Sequence, residues 1–201
     1  MHRFKNPRKI GIVLLVASFL FATVLVDAAA GTQTGSEFFA PFASSIAKDE
    51  LDGIIGSEWH DASKVEIRLG RFATELWQKN DGENLYIAME IKTNRRYSEF
   101  EGYVFFDDGD GRDYRTGDDI ISVMEQDGKL VNADYYFKKK YDFRLDTRVG
   151  GVNNAWAAGK YDPDKKVYVF EFVRELTSGD GKDVSLNQND TVTVVYGWAS
   201  Y

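Results

Sequence analysis

Cysteine is absent from all 201 residues. That excludes disulfides, thiolate metal sites, a covalently attached c-type haem and a lipid-modified cysteine anchor together. An exported domain without disulfides rests on its core, or on a bound ion or cofactor. Histidine is scarce: there are two, and only His60 lies beyond the N-terminal region. No Gly-x-Ser-x-Gly elbow occurs, so no nucleophile–base arrangement can be read. A glycosidase needs only two carboxylates, and acids are abundant, so that enzymatic class stays open. Positive charge is also in deficit, with 25 Lys and Arg against 32 Asp and Glu, a net charge of −7. Arg3, Lys5, Arg8 and Lys9 against Asp27 give the first thirty residues a positive balance. The rest is therefore more acidic than the whole. Such a surface repels phosphate backbones and anionic lipid, which argues against a nucleic-acid partner.

What the chain does have begins with an apolar run from Ile10 to Val26, flanked by the basic start and by Asp27 to Gly31. This is a secretory signal, or a signal-anchor left uncut, and the small residues Ala28 and Ala30 favour cleavage after Ala30. Positive charge before the run keeps that end in the cytoplasm, so the domain is expected outside in either case. Contact with a membrane is then expected only through this segment, if it is retained. Residues 1–30 read as signal or anchor, 31–50 as linker and edge segment, and 51–201 as a ligand-binding domain.

Within 51–201 the pattern is β. Val65 to Leu69, Ala73 to Lys79, Leu85 to Ile91, Gly102 to Asp107, Asp119 to Glu125 and Leu130 to Phe137 read as strands. So do Val152 to Lys160, Val167 to Leu176 and Thr191 to Trp198. They are rich in β-branched and aromatic residues, and several alternate with a period of two. Asn80 to Asn84 carries an Asp-Gly hairpin signal, and Tyr161 to Lys165 a proline turn. Lys138 to Lys140 is read as a solvated loop or a protected edge. About nine short strands with regular turns predict an all-β fold, an antiparallel two-sheet β-sandwich behind an N-terminal apolar helix.

Acidic residues gather between two of these strands. Asp107, Asp108, Asp110, Asp113, Asp118 and Asp119 share one loop with Gly109, Gly111 and Gly117. Hard oxygens at flexible spacing suit calcium, although Arg112 and the missing closing glutamate depart from an EF-hand. The bland alternative is a solvated acidic turn. Asp180, Asp183 and Asp190 form a second, weaker group. Trp59, Trp77, Trp156 and Trp198 can pack a core or, exposed, stack on sugar rings.

Leu51 to Gly53, Glu58, Trp59 and Ala62, followed by Trp77 to Ile91, resemble the opening of family 9 carbohydrate-binding modules and of DOMON domains. Phe172 to Leu186, with Arg174-x-Leu176, Gly179-Asp180 and Asp183-x-x-Leu186, is similar to the haem-binding domain of the ethylbenzene dehydrogenase gamma subunit. The resemblance implies a two-sheet sandwich that binds haem b or a sugar. Haem-binding relatives use a methionine with a lysine or histidine, and their methionine lies where this chain has Gly117-Asp118. The remaining candidates are Met89, Met124, His60 and Lys182, each with an ordinary reading as core or surface. The implied functions are a haem-b electron-transfer domain with a redox partner protein or, alternatively, a carbohydrate-binding or cell-surface module holding structural calcium.

Overall fold

In Leu85, Ile87, Met89 and Ile91, and again in Tyr168, Phe170 and Phe172, every second residue is buried in one common core. Strands with that pattern have one face to cover, and two sheets that cover each other satisfy it. A computed structural model describes residues 38–69, 71–107, 116–126, 129–139, 142–187 and 192–200. In chain order the strands are β1 (Ser63–Leu69), β2 (Phe72–Asn80), β3 (Asn84–Lys92), β4 (Phe100–Asp107) and β5 (Asp119–Gln126). They continue with β6 (Lys129–Lys139), β7 (Asp142–Leu145), the one-turn helix α1 (Asp146–Val149), β8 (Ala155–Asp162), β9 (Val167–Glu175) and β10 (Thr193–Ser200). One five-stranded sheet runs β1-β2-β3-β9-β8 and the other β10-β4-β5-β6-β7. Every pairing within the sheets is antiparallel. The expected sandwich is therefore the observed one.

The nine expected strands are all present, with ends shifted by a few residues. The addition is β7, four residues paired on β6 beside Lys138 and Lys139, which lie exposed at the end of β6. Lys140 lies outside the described residues, as do the apolar run and the residues 108–115 of the acidic loop. Among the described residues no helix is long and apolar enough to cross a membrane.

Aromatic side chains fill the space between the sheets. The Phe100 ring stacks on Tyr168 at 4.1 Å and on Trp198 at 5.4 Å. Phe170 reaches across to the opposite sheet, where a Cβ on Gly102 would stand 2.5 Å from its ring, and on its own sheet a Cβ on Gly159 would stand 2.7 Å away. Real side chains never approach so closely, so Gly102 sets how tightly the sheets close and Gly159 makes room for the Phe170 ring within its own sheet.

The outer face of the first sheet is not left to solvent. Residues 38–62 lie over it, joined to β2 by Asn80 N–H to Pro41 O (2.9 Å) and Ala43 N–H to Asn80 O (2.8 Å). Ile46 and Trp59 from this segment pack with Trp77, Tyr86, Ala88 and Val173.

Candidate metal centre

Strand alternation turns a few polar residues inward, and near one end of the sandwich these are carboxylates. Asp119 pairs with Phe106 across β4–β5 and shares its inward face. On β6, Ala133 faces outward as the partner of Ser122, so its neighbour Asp134 faces inward with Ile121, its partner. Asp146 opens α1, and Asp180 and Asp183 come from the connection after β9. Asp119, Asp134 and Asp146 are each at most 2% exposed.

Among the described residues, Arg174 is the cation paired with this group. Arg174, on the inner face of β9, lies 4.6 Å over the Phe106 ring. It donates from Nη1 to Asp119 Oδ2 (2.6 Å) and from Nη2 to the Val184 carbonyl. Asn154 donates from Nδ2 to Asp183 Oδ2 (2.8 Å) and from its backbone to Asp134 Oδ2 (3.4 Å). Asp180 Oδ2 accepts from Val152 N–H (2.6 Å) and Oδ1 from Lys182 N–H (2.8 Å). These donors satisfy one side of the cluster only. Asp119 Oδ1, Asp134 Oδ1, Asp183 Oδ1 and both oxygens of Asp146 are enclosed and meet no hydrogen-bond donor.

Such crowding resists ionisation. Burial, followed by the charges of Asp134, Asp183 and Asp180, pushes Asp146 up to about 8. Burial and then Asp183 push Asp134 up to about 6, with Arg174 opposing. Asp119 is raised well above the ordinary carboxylate range by burial, again against Arg174. A divalent cation would remove the cause, because it would supply the charge and the partners that the described residues do not. The oxygens fall into two triads, Asp119–Asp134–Asp183 and Asp146–Asp180–Asp183, each with its ligand atoms within 4.8 Å of one another. Ligands on opposite sides of calcium, at roughly 2.3–2.6 Å from the ion, are separated by about that distance. With no thiolate or imidazole in either triad, the donor set suits a hard cation.

The sequence pointed to part of this centre. Asp119 is in it, and so are Asp180 and Asp183 from the weaker group. Asp107 ends β4 one residue after Phe106, so alternation sends it to the opposite face from Asp119. Asp118 is buried, while Asp108, Asp110, Asp113 and Asp190 lie outside the described residues. Asp134 and Asp146 were not foreseen. The available signal for Asp134 was an acid in the strand slot that alternates against Ala133, Tyr135 and Phe137.

The haem candidates do not converge. Met89 is fully buried in the core, paired with Leu76 and Phe170. Met124 sits on the outer face of the other sheet, in register with Val131, so a sheet separates the two sulfurs. His60 is exposed, its Nδ1 2.7 Å from Ser57 O. Lys182 places its ammonium 5.0 Å from the Tyr136 ring centre, beside the carboxylates. No two of them bracket a flat macrocycle, and the space between the sheets is filled by side chains.

The tryptophans are occupied as well. Trp59 and Trp77 are buried, Lys48 lies over Trp156, and Trp198 donates to Leu69 O (3.2 Å) from within the core. Fold and centre together define a two-sheet antiparallel β-sandwich with a carboxylate cluster enclosed at one end. Among solved structures, a family 9 carbohydrate-binding module from Caldicellulosiruptor kristjanssonii, in complex with glucose, is similar at 13% identity and a TM-score of 0.45. The match covers 78% of this chain and 74% of that one. No protein family matches the sequence, and no curated protein does.

Proposed function

We propose that this chain is an exported, non-catalytic binding module, a β-sandwich closed at one end by a hard divalent cation of the calcium class. Asp119, Asp134 and Asp183 are the ligands assigned first. The observation that carries the reading is the set of enclosed carboxylate oxygens without donors. A buried charge left unpaired costs several kcal/mol, on the order of 3–5 when one partner of a pair is missing. Thermal melting of the full-length chain in chelator, calcium or magnesium tests it. At a calcium concentration 100 times the dissociation constant one site contributes about 2.7 kcal/mol, a rise of roughly 5–10 °C for a chain of this size. Magnesium, which demands tighter octahedral geometry, is expected to do less. Identical melting in chelator and calcium would overturn the reading.

A finer reading of the ligand is carbohydrate. It is supported by Tyr135 and Phe143, half-buried rings that meet edge to face at 5.3 Å on the outer side of the second sheet, over the buried Tyr103, Phe105 and Phe137. Partly exposed rings offer a face on which a sugar can stack. Glucose and short β-glucans in a calorimetric titration are the first probes. Binding that Tyr135→Ala abolishes supports this face, and binding unaffected by it moves the site elsewhere.

A further inference from the structure

We infer that the centre holds two hard divalent cations, not one, with Asp183 shared between them. This rests on the cation reading above and goes beyond it in number and place. The ligand atoms divide into two triads, and Asp183 belongs to both. An ion among Asp119, Asp134 and Asp183 leaves Asp146 untouched. Yet Asp146 is 1% exposed, and neither of its oxygens meets a donor. The ligand atoms grouped with it, from Asp180 and Asp183, are acids as well.

The surroundings fit an ion there. The backbone closes over Asp146 and Asp180 at Gly151, where a Cβ would stand 2.8 Å from Lys182 Cγ, 3.0 Å from Asp146 Oδ2 and 3.1 Å from Asp180 Oδ2. Any larger residue would crowd the oxygens that face each other at that point. Charge points the same way. Five carboxylates against Arg174, with Lys182 alongside, leave three to four negative charges, more than one divalent cation neutralises. Asp183 has the capacity to bridge, since a carboxylate offers about four lone-pair sites and Asn154 takes only one of them. A bridging carboxylate between the ions also screens their mutual repulsion.

The test is stoichiometry. The full-length chain, stripped with chelator and dialysed against buffered calcium, is assayed for bound metal and titrated calorimetrically. Two equivalents are expected, falling to one in Asp146→Asn, with calcium still raising the melting temperature of that variant. Asp180→Asn, at a half-buried position, is the second variant should the first not fold, and the same fall to one is expected. One equivalent in the native chain, unchanged in both variants, would overturn the second ion and leave the first. No bound calcium at all would overturn both.

Discussion

Two regions of this sandwich bury charge, and they do it in opposite ways. Outside the first sheet, Lys79 is fully buried, yet its ammonium donates to Glu58 O (2.5 Å), Asp61 Oδ1 (2.9 Å) and Ser44 Oγ (3.2 Å). Those three bonds exhaust its donors. On the same face Glu171 accepts from Trp59 Nε1 (2.8 Å) and Gly53 N–H (2.6 Å), one to each oxygen. Both residues clamp residues 38–62 onto the sheet. At the end of the sandwich the carboxylates keep enclosed oxygens with no donor. Protein donors finish the first region, whereas the second keeps oxygens that no donor among the described residues meets. The contrast separates a charge that serves the fold from a charge that serves a ligand.

Removing calcium is the strongest way to break that contrast. Stripping both ions is expected to cost about 5 kcal/mol relative to calcium at 100 times the dissociation constants, read as a large fall in melting temperature. The clamp should be indifferent, so Trp59 fluorescence should follow the global transition and show no earlier change of its own.

Lys79→Met removes only one partner of a buried pair and takes the donor from Glu58 O and Ser44 Oγ, so a loss on the order of 3–5 kcal/mol is expected, equal in chelator and in calcium. Its partner Asp61 keeps Ser44 N–H at 2.8 Å. Glu171→Ala comes next. It orphans the Trp59 indole and the Gly53 amide, at about 1–3 kcal/mol for each unsatisfied donor. Denaturant melting should show this loss equally in chelator and in calcium. A loss present only with calcium would mean that the two regions are coupled.

Asp134→Asn sharpens the comparison through its sign. Without calcium it relieves like-charge crowding and is expected to stabilise by about 1–3 kcal/mol. With calcium it should destabilise, having lost a ligand. A variant that is weaker in both conditions would place Asp134 among the structural charges.

pH separates the regions further. The folded pKa values of Asp134 and Asp146 are raised to about 6 and about 8. The folded state therefore keeps protons that the unfolded chain has released, and stability without calcium falls as pH rises from about 4 to 8. Calcium takes the place of those protons, so melting scans against pH should flatten when it is added. Glu171, raised by burial to about 7, contributes the same downward slope, but calcium should leave its share unchanged.

The strands were legible because strand periodicity is a local signal. Leu85 to Ile91 alternates within a few residues, and Asp81-Gly82 marks its hairpin from inside the same stretch. β7 escaped because four residues, Asp142 to Leu145, carry no full alternation. The centre was legible only where acids cluster in sequence, at Asp118-Asp119 and at Asp180 and Asp183. Asp134 and Asp146 stand alone in their neighbourhoods, and only the folding of two sheets brings them together. Dense acidity in the 107–119 loop drew attention to Asp119, yet the strand pleat sends Asp107 and Asp119 to opposite faces. The same pleat puts Met89 in the core and Met124 on the outer face of the other sheet.

The positions of the ligands along the chain also set the timing of their assembly. Asp119 and Asp183 are separated by most of the second sheet, α1 and two strands of the first, so the site exists only after the sheets have docked. A folding transition state reached before that docking contains no binding site, and bound ions then leave the folding rate almost unchanged while they slow unfolding. In a chain without cysteine, an ion bound at the proposed centre would then govern how long a folded molecule lasts more than how readily one forms.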